Sequence, residues 1–305
     1  MIKYFIKRFF MMLIALFMII LITFIIMHSI PGGPFTSDRK VSKEVEQALN
    51  EKYHLDAPLY EQFFDYFKNL LKGDMGPSYK YTGKSVNDFI ANGFPVSAKL
   101  GAITIVFVLL AAIPMGILAA IKNGRWQDMT IMAIATIGVT IPSFVIASVL
   151  IYLFSFRLNL LPTYGVDSLK GYILPVIALG GYSLSYLARL MRSSLLEVMG
   201  QDYIRTARAK GLTEFRVITK HALRNALIPV ITVLGPTVAG LMTGSFVIEK
   251  IFAIPGLGVH FVNSVTQRDY TTIMGVTVFY AAFLLAMVFL VDLFYCLIDP
   301  RIKYE

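Results

Sequence analysis

DYIRTARAKGLTEFRVITKHALRNALIPV, residues 202–230, is a short basic stretch in a chain dominated by apolar runs. It carries six Lys or Arg, two acids and a central Gly211. Tyr203 to Ala209 reads as a helix with Gly211 as its stop, and Thr213 is placed to cap a second helix starting near Glu214. Phe215, Ile218 and Ala222 are then available to face the membrane or a partner. A helix–Gly–helix between membrane spans makes a compact knob able to grip a soluble protein. An interfacial loop whose cations attract anionic lipid has the same composition. The first reading points to a membrane pathway driven from outside its own chain, and away from an enzyme.

Composition supports the membrane setting. Of 305 residues, 56% are hydrophobic and only 15% charged, which places the chain among integral membrane proteins before any motif is read. A lone cysteine, Cys296, rules out an intrachain disulfide and lies in an apolar run, where packing is its first role. Near the N-terminus, Lys3, Lys7 and Arg8 precede an apolar stretch from Phe9 to Met27. At ~1.5 Å per residue that stretch nearly crosses a ~30 Å hydrocarbon layer. It is longer than a signal-peptide core and lacks a clear small-residue cleavage site, so an uncleaved first span is expected.

Six spans are expected, over 9–30, 98–121, 129–156, 172–189, 226–248 and 272–298, giving an all-α integral membrane protein. The fourth, GYILPVIALGGYSLSYLA, is the weakest: it is short and holds Pro175 and two glycines, which leaves a broken or re-entrant helix open. Pro114, Pro142 and Pro236 also fall inside spans, as bent packing elements or as hinges.

Charge orients these spans. With the N-terminus inside, the inner segments hold Lys3, Lys7, Arg8, Lys122, Arg125, the 189–224 cluster, Arg301 and Lys303. These are 15 basic residues against six acids, while the remaining 13 basic residues are matched by 13 acids. The whole formal charge of +9 therefore lies on one side, as cytoplasmic loops require, and reports orientation rather than nucleic-acid binding. Both termini are expected in the cytoplasm.

The segment from Pro31 to Pro95 is too long for a turn. Residues 42–52 suggest a surface helix and 58–71 an amphipathic one, with Leu59, Phe63, Phe67 and Leu70 near one face and Lys72-Gly73-Asp74 at its end. A small external cap packed on the spans is expected, and it offers a docking surface for an external partner. The domain plan is therefore a first span over 1–30, an extracytoplasmic segment over 31–97, and a core over 98–305 with the basic loop at 190–225.

The chain resembles the permease subunits of binding-protein-dependent ABC importers, particularly the first permease of dipeptide and oligopeptide uptake systems. Ala207, Gly211 and Pro229 match the family's cytoplasmic motif, and Arg205 stands where the wider family has Glu, as in the peptide branch. DYIRTARAKGL, HALRNALIPVIT, EKIFAIPGLGVHFVNSVTQRDY (249–270), TIPSFVIASVLIYLF with RLNLLPTYG, LDAPLYEQFFDYFKNLLKGDMGPSY and the closing LIDPRIKY extend the resemblance over essentially the whole chain.

The resemblance implies the type I ABC importer permease fold in a bacterial plasma membrane. Its partners would be a second, related permease, two cytoplasmic ATPases and an external peptide-binding protein. It also implies that the basic loop seats in a groove on the ATPase. Arg205, Ala207, Arg208, Lys210, Gly211, Thr213, Glu214 and Phe215 are the coupling candidates: Ala207 for close helix approach, Gly211 for the turn, Phe215 as apolar anchor. Asn225 and Pro229 shape the loop-to-span junction. Nickel importers share much of the pattern, so a nickel or metal-chelate cargo is the alternative.

Chemistry of other kinds finds no foothold in the sequence. There is no GxxxxGK[ST] phosphate loop, so ATP and Mg are expected in the partner ATPases, with no cofactor bound here. His28, His54, His221 and His260 do not form a tetrahedral spacing. Asp292, inside the last span, reads as one member of a structural pair or as a cation or substrate contact. Arg189 and Arg192 are expected to snorkel inward. Glu249, Lys250, Arg268 and Asp269 flank 251–267 and are placed to shape its contacts or a gate.

Overall fold

A computed structural model describes residues 2–30 and 56–298, apart from the side chains of residues 2–4, Asp292 and 294–298. The helix expected over 42–52, His54, the closing segment from Asp299 and the side chain of Asp292 lie outside the described residues. Regular structure here is helical, with one isolated antiparallel bridge from Pro77 to Ser85. In chain order the helices are α1 Ile2–Ser29, α2 Leu59–Leu71, α3 Val86–Ile121, α4 Trp126–Thr140, α5 Ser143–Arg157 and α6 Leu169–Met199. They continue as α7 Asp202–Ala209, α8 Glu214–Arg216, α9 Leu223–Met242, α10 Phe246–Ile251, α11 Leu257–Gln267 and α12 Tyr270–Ile298. The second half of α5 and the Val217–Ala222 linker are π-helical.

Among the described residues, five stretches are long and apolar enough to cross a membrane: α1, α3, α6, the run Glu214–Ile251 and the first part of α12. The pair α4 and α5 is bent by 110° and makes a sixth only if it is one span. The expected third span, over 129–156, is thus sharply bent at Pro142, one of the prolines read as a bend or hinge. Ile141 is extended (φ −85°, ψ 126°) because the Pro142 ring clashes with a helical predecessor, and α5 restarts from Pro142. The expected weak point, in contrast, is continuous: α6 runs through a buried Pro175 for 31 residues.

The chain divides into two compact units, Met1–Ser97 with Pro255–Ala286, and Ala98–Ile254 with Met287–Lys303. In the first, the amphipathic stripe of α2 packs on α1. Phe63 is buried with Ile20, Phe24 and Met27 of α1 and Tyr270, Met274 and Val278 of α12, and Phe67 and Leu70 join its edge. Ring pairs Phe24–Phe63 at 5.3 Å and Phe17–Phe67 at 5.5 Å are edge-on, the favoured aromatic geometry. Leu59, expected on the same face, is exposed. Lys72 closes α2 and Gly73 leaves it at φ +80°, where a side chain is strained.

The second unit is organised on α6, which packs against α4, α5 and α9. Its neighbours come close because they present glycine. A Cβ on Gly116 would lie 2.6 Å from the Ala188 carbonyl oxygen, and one on Gly138 would lie 3.0 Å from the Gly181 carbonyl oxygen. Small residues at such crossings let backbones approach where lipid supplies no hydrophobic drive between helices. Ser194 on α6 also donates to the Ala226 carbonyl of α9 at 2.9 Å.

Thermal unfolding in detergent should separate two similar substitutions. Gly116→Ala meets backbone and should cost about 1–3 kcal/mol by overpacking. Gly240→Ala has open space around it and should be neutral or stabilising by up to ~1 kcal/mol through helix propensity.

Candidate functional site

The basic stretch forms a small knob on the C-terminal end of α6. α7 is amphipathic: Ile204 and Ala207 face inward and are buried, while Tyr203, Arg205, Thr206 and Arg208 stay exposed. Val217, Ile218 and Ala222 are buried beneath, and the core they enter continues through Met191 and Leu195 to Ala226 and Val230. Ile218 and Ala222 were expected to face the membrane or a partner; they instead supply the foundation of the knob. Phe215 is left as its projecting apolar group, 78% exposed.

The turn between α7 and α8 is set by Gly211 at φ +79°, with its N–H donating to the Arg208 carbonyl at 2.9 Å. The left-handed region suits glycine and costs other residues. Thr213 occupies the N-cap position of α8 in extended conformation, but its side chain makes no capping bond. Its carbonyl accepts from Val217 N–H at 2.9 Å instead. Across the turn, Arg208 Nε pairs with Glu214 Oε1 at 2.9 Å. Arg205 reaches only Asp202, at 3.4 Å on an open surface, a pair worth little in water. Lys210 is exposed.

At the junction with α9, Asn225 donates to the Tyr203 hydroxyl at 2.7 Å and so ties the two arms of the knob. Pro229 is half-buried within the first turns of α9. Tyr203 was not singled out from the sequence: its partner is 22 residues away, beyond any helical spacing.

Another missed group is Asp128. Its carboxylate is nearly buried and accepts from Arg192 Nε at 2.6 Å, Arg192 Nη2 at 2.7 Å and Gly124 N–H at 2.9 Å. Arg192 also reaches Asn123 at 2.9 Å. Arg192 therefore clamps α6 to the start of α4 rather than snorkelling. Arg189 donates from Nη2 to Thr136 Oγ1 at 2.6 Å.

In the first unit, Asp269 is fully buried at the start of α12. It accepts from the Ser78 hydroxyl, from Tyr79 N–H at 3.0 Å and from the Thr272 hydroxyl at 2.8 Å. Asp followed by Tyr-Thr-Thr is a readable helix-capping signal; the capture of the 78–79 turn is not. Arg268, just before it, is left-handed at φ +57°. His28 bonds the Phe24 carbonyl at 2.8 Å, and His260 stacks on Phe89 at 5.0 Å, where burial pushes its imidazole pKa below the usual range. Among the described residues, no three His, Cys, Asp or Glu side chains gather as a metal site.

A multi-span helical subunit with a rigidly based, exposed knob is built as a transport permease. Residues 1–101 match the N-terminal part of the binding-protein-dependent transport system membrane component, and residues 112–304 match the binding-protein-dependent transport system inner membrane component. The chain belongs to this family. It is 49% identical over 301 residues to the dipeptide transport system permease protein DppB of Bacillus subtilis, covering 99% of this chain and 98% of that one. It is 45% identical over 307 residues to the oligopeptide transport system permease protein OppB of Haemophilus influenzae, with both chains fully covered. Among solved structures, the inward-facing MetNI methionine ABC transporter gives a TM-score of 0.53 at 18% identity, covering 69% of this chain and 96% of that chain. An amino acid ABC transporter solved with histidines gives 0.52 at 18% identity, over 68% of this chain and 94% of that chain. The shared fold is that of the type I ABC importer permease.

The Asp128–Arg192 clamp is open to a double-mutant cycle. Arg192→Gln leaves a buried carboxylate uncompensated and should cost about 3–5 kcal/mol in thermal unfolding. Adding Asp128→Asn should restore a large part of that loss.

Proposed function

We propose that this chain is one permease subunit of an ATP-driven importer that carries dipeptides or oligopeptides handed over by an external binding protein. The observation that carries this reading is near-full-length identity to peptide permeases, 49% over 99% of the chain. Six spans, with α4 and α5 counted as one, and the basic excess on one side support a topology with both termini in the cytoplasm. A second permease completes the pathway, two ATPases bind and hydrolyse ATP with Mg, and this chain performs no chemistry of its own.

The knob is the coupling element. Its base is packed into the core around α6, so force applied at the tip is delivered to a span rather than lost in a loose loop. Phe215 enters an apolar pocket of the ATPase, and Arg205, Arg208, Lys210 and Glu214 orient the contact around it. Ala207 lets α7 lie close to its support, and Gly211 and Thr213 set the angle between the two arms. Asn225 and Pro229 carry the movement into α9. Closure of the ATPases then favours one of two permease states, and their release the other, which gives alternating access. On the opposite side, parts of 31–97 and 249–270 receive the binding protein, with Asp269 holding the 78–79 turn in place.

Uptake into vesicles holding the full importer, with a labelled peptide panel beside labelled nickel, tests the reading. Peptide should accumulate with ATP and nickel should not; nickel accumulation without peptide would move the chain to the metal branch. Gly211→Pro, whose φ is fixed near −65°, should abolish uptake while the complex still assembles. Gly211→Asn, which tolerates the left-handed region, should retain most of it. Phe215→Ala should weaken ATPase binding by at least about tenfold, the loss expected of a hot-spot side chain.

A further inference from the structure

α6 carries a polar stripe that neither the core nor the knob accounts for. Tyr182, Tyr186, Arg189 and Ser193 recur at helical spacing and share one face over ~16 Å of rise. Tyr182 is 59% exposed and Tyr186 42% exposed, with rings stacked at 6.4 Å and nearly parallel. Below them opens a groove of about 600 Å³ between α4 and α6, lined by Thr136, Tyr186, Arg189, Arg192 and Ser193 with Met132 and Leu190. Of the apolar stretches long enough to span, α6 has the lowest hydropathy, 1.4.

Hydrocarbon is the wrong solvent for this face. Arg189, at the inner end of the span expected over 172–189, and the phenol and serine hydroxyls on the same face are costly against lipid. The face therefore meets water or polar groups. Its two arginines differ in state. Arg192 is neutralised by Asp128, whereas Arg189 meets only the Thr136 hydroxyl and no carboxylate among the described residues. Thr136 holds the guanidinium by one nitrogen, which leaves its other donors free for an anion in the groove.

We infer that this stripe lines the aqueous route through the permease and that Arg189 receives the C-terminal carboxylate of the passing peptide. The guanidinium fork suits a carboxylate, and the stacked tyrosines offer ring faces and hydroxyls that tolerate varied side chains. The inference rests on the peptide-import reading and adds the residue that senses the peptide's end.

The test uses the assembled importer in vesicles, at saturating binding protein, with trialanine and its C-terminal amide. The acid-to-amide transport-rate ratio of each variant is compared with that of the original chain, so the binding protein's own preference cancels. Arg189→Gln should lower the ratio about tenfold, the loss of a charge-assisted hydrogen bond, and Arg189→Lys should restore most of it. In a Cys296→Ser background, Tyr182→Cys and Tyr186→Cys should react with a water-soluble, membrane-impermeant maleimide, and peptide turnover should slow that reaction. An unchanged ratio in Arg189→Gln overturns the carboxylate assignment. Cysteines that stay unreactive in the assembled importer overturn the aqueous route and place this face against the second permease. If the original chain moves neither acid nor amide, the peptide reading itself fails, while maleimide reactivity still reports whether the face is wet.

Discussion

Helices in a bilayer gain little by leaving lipid for one another, so their association depends on how closely their backbones can approach. In this permease that constraint is met on α6. Gly116 of α3 and Gly138 of α4 both lie where a methyl group would collide with its backbone, and Gly180 gives Thr104 and Val108 the same access in return. The Ser194 bond to α9 and the Asp128–Arg192 clamp then set the rotation and height of α6 against its neighbours. The knob is built on the end of this helix and inherits its rigidity.

The coupling role proposed for this stretch has conflicting needs: a tip that another protein can grip and a base that does not yield. The sequence solves this by alternation within one short stretch. Ile204, Ala207, Val217, Ile218 and Ala222 enter the core, while Phe215 and the charged residues between them remain outside. Gly211 reverses the chain, and the Arg208–Glu214 and Asn225–Tyr203 contacts hold the two arms against each other.

Charge has a separate job at each place it occurs. Asp269 is spent on structure, holding the 78–79 turn at the start of α12. Arg192 is likewise spent on Asp128. Arg189, three residues earlier, has a hydroxyl for a partner and a groove in front of it. About one helical turn thus separates an arginine paired with a carboxylate from one bonded to a hydroxyl, a difference set by where a carboxylate from another helix reaches.

Much of the architecture was legible along the chain because it rests on local physics. Long apolar runs mark spans, Gly211 marks a reversal, and the aromatic stripe of 58–71 marks a face to be buried; each signal is contained in one continuous stretch of chain. Pro142 marked a bend or hinge, though not its 110° angle, while the glycines and Pro175 of α6 looked like a break and were instead points of close packing. What no local pattern contained were the pairings across 64 residues between Asp128 and Arg192 and across 22 between Tyr203 and Asn225. Hydropathy says that a residue must leave lipid or enter it, but not which distant group will meet it there. That choice is made only when helices cross, because hydrogen bonds and ion pairs act over a few ångströms and the crossing decides which atoms come within them.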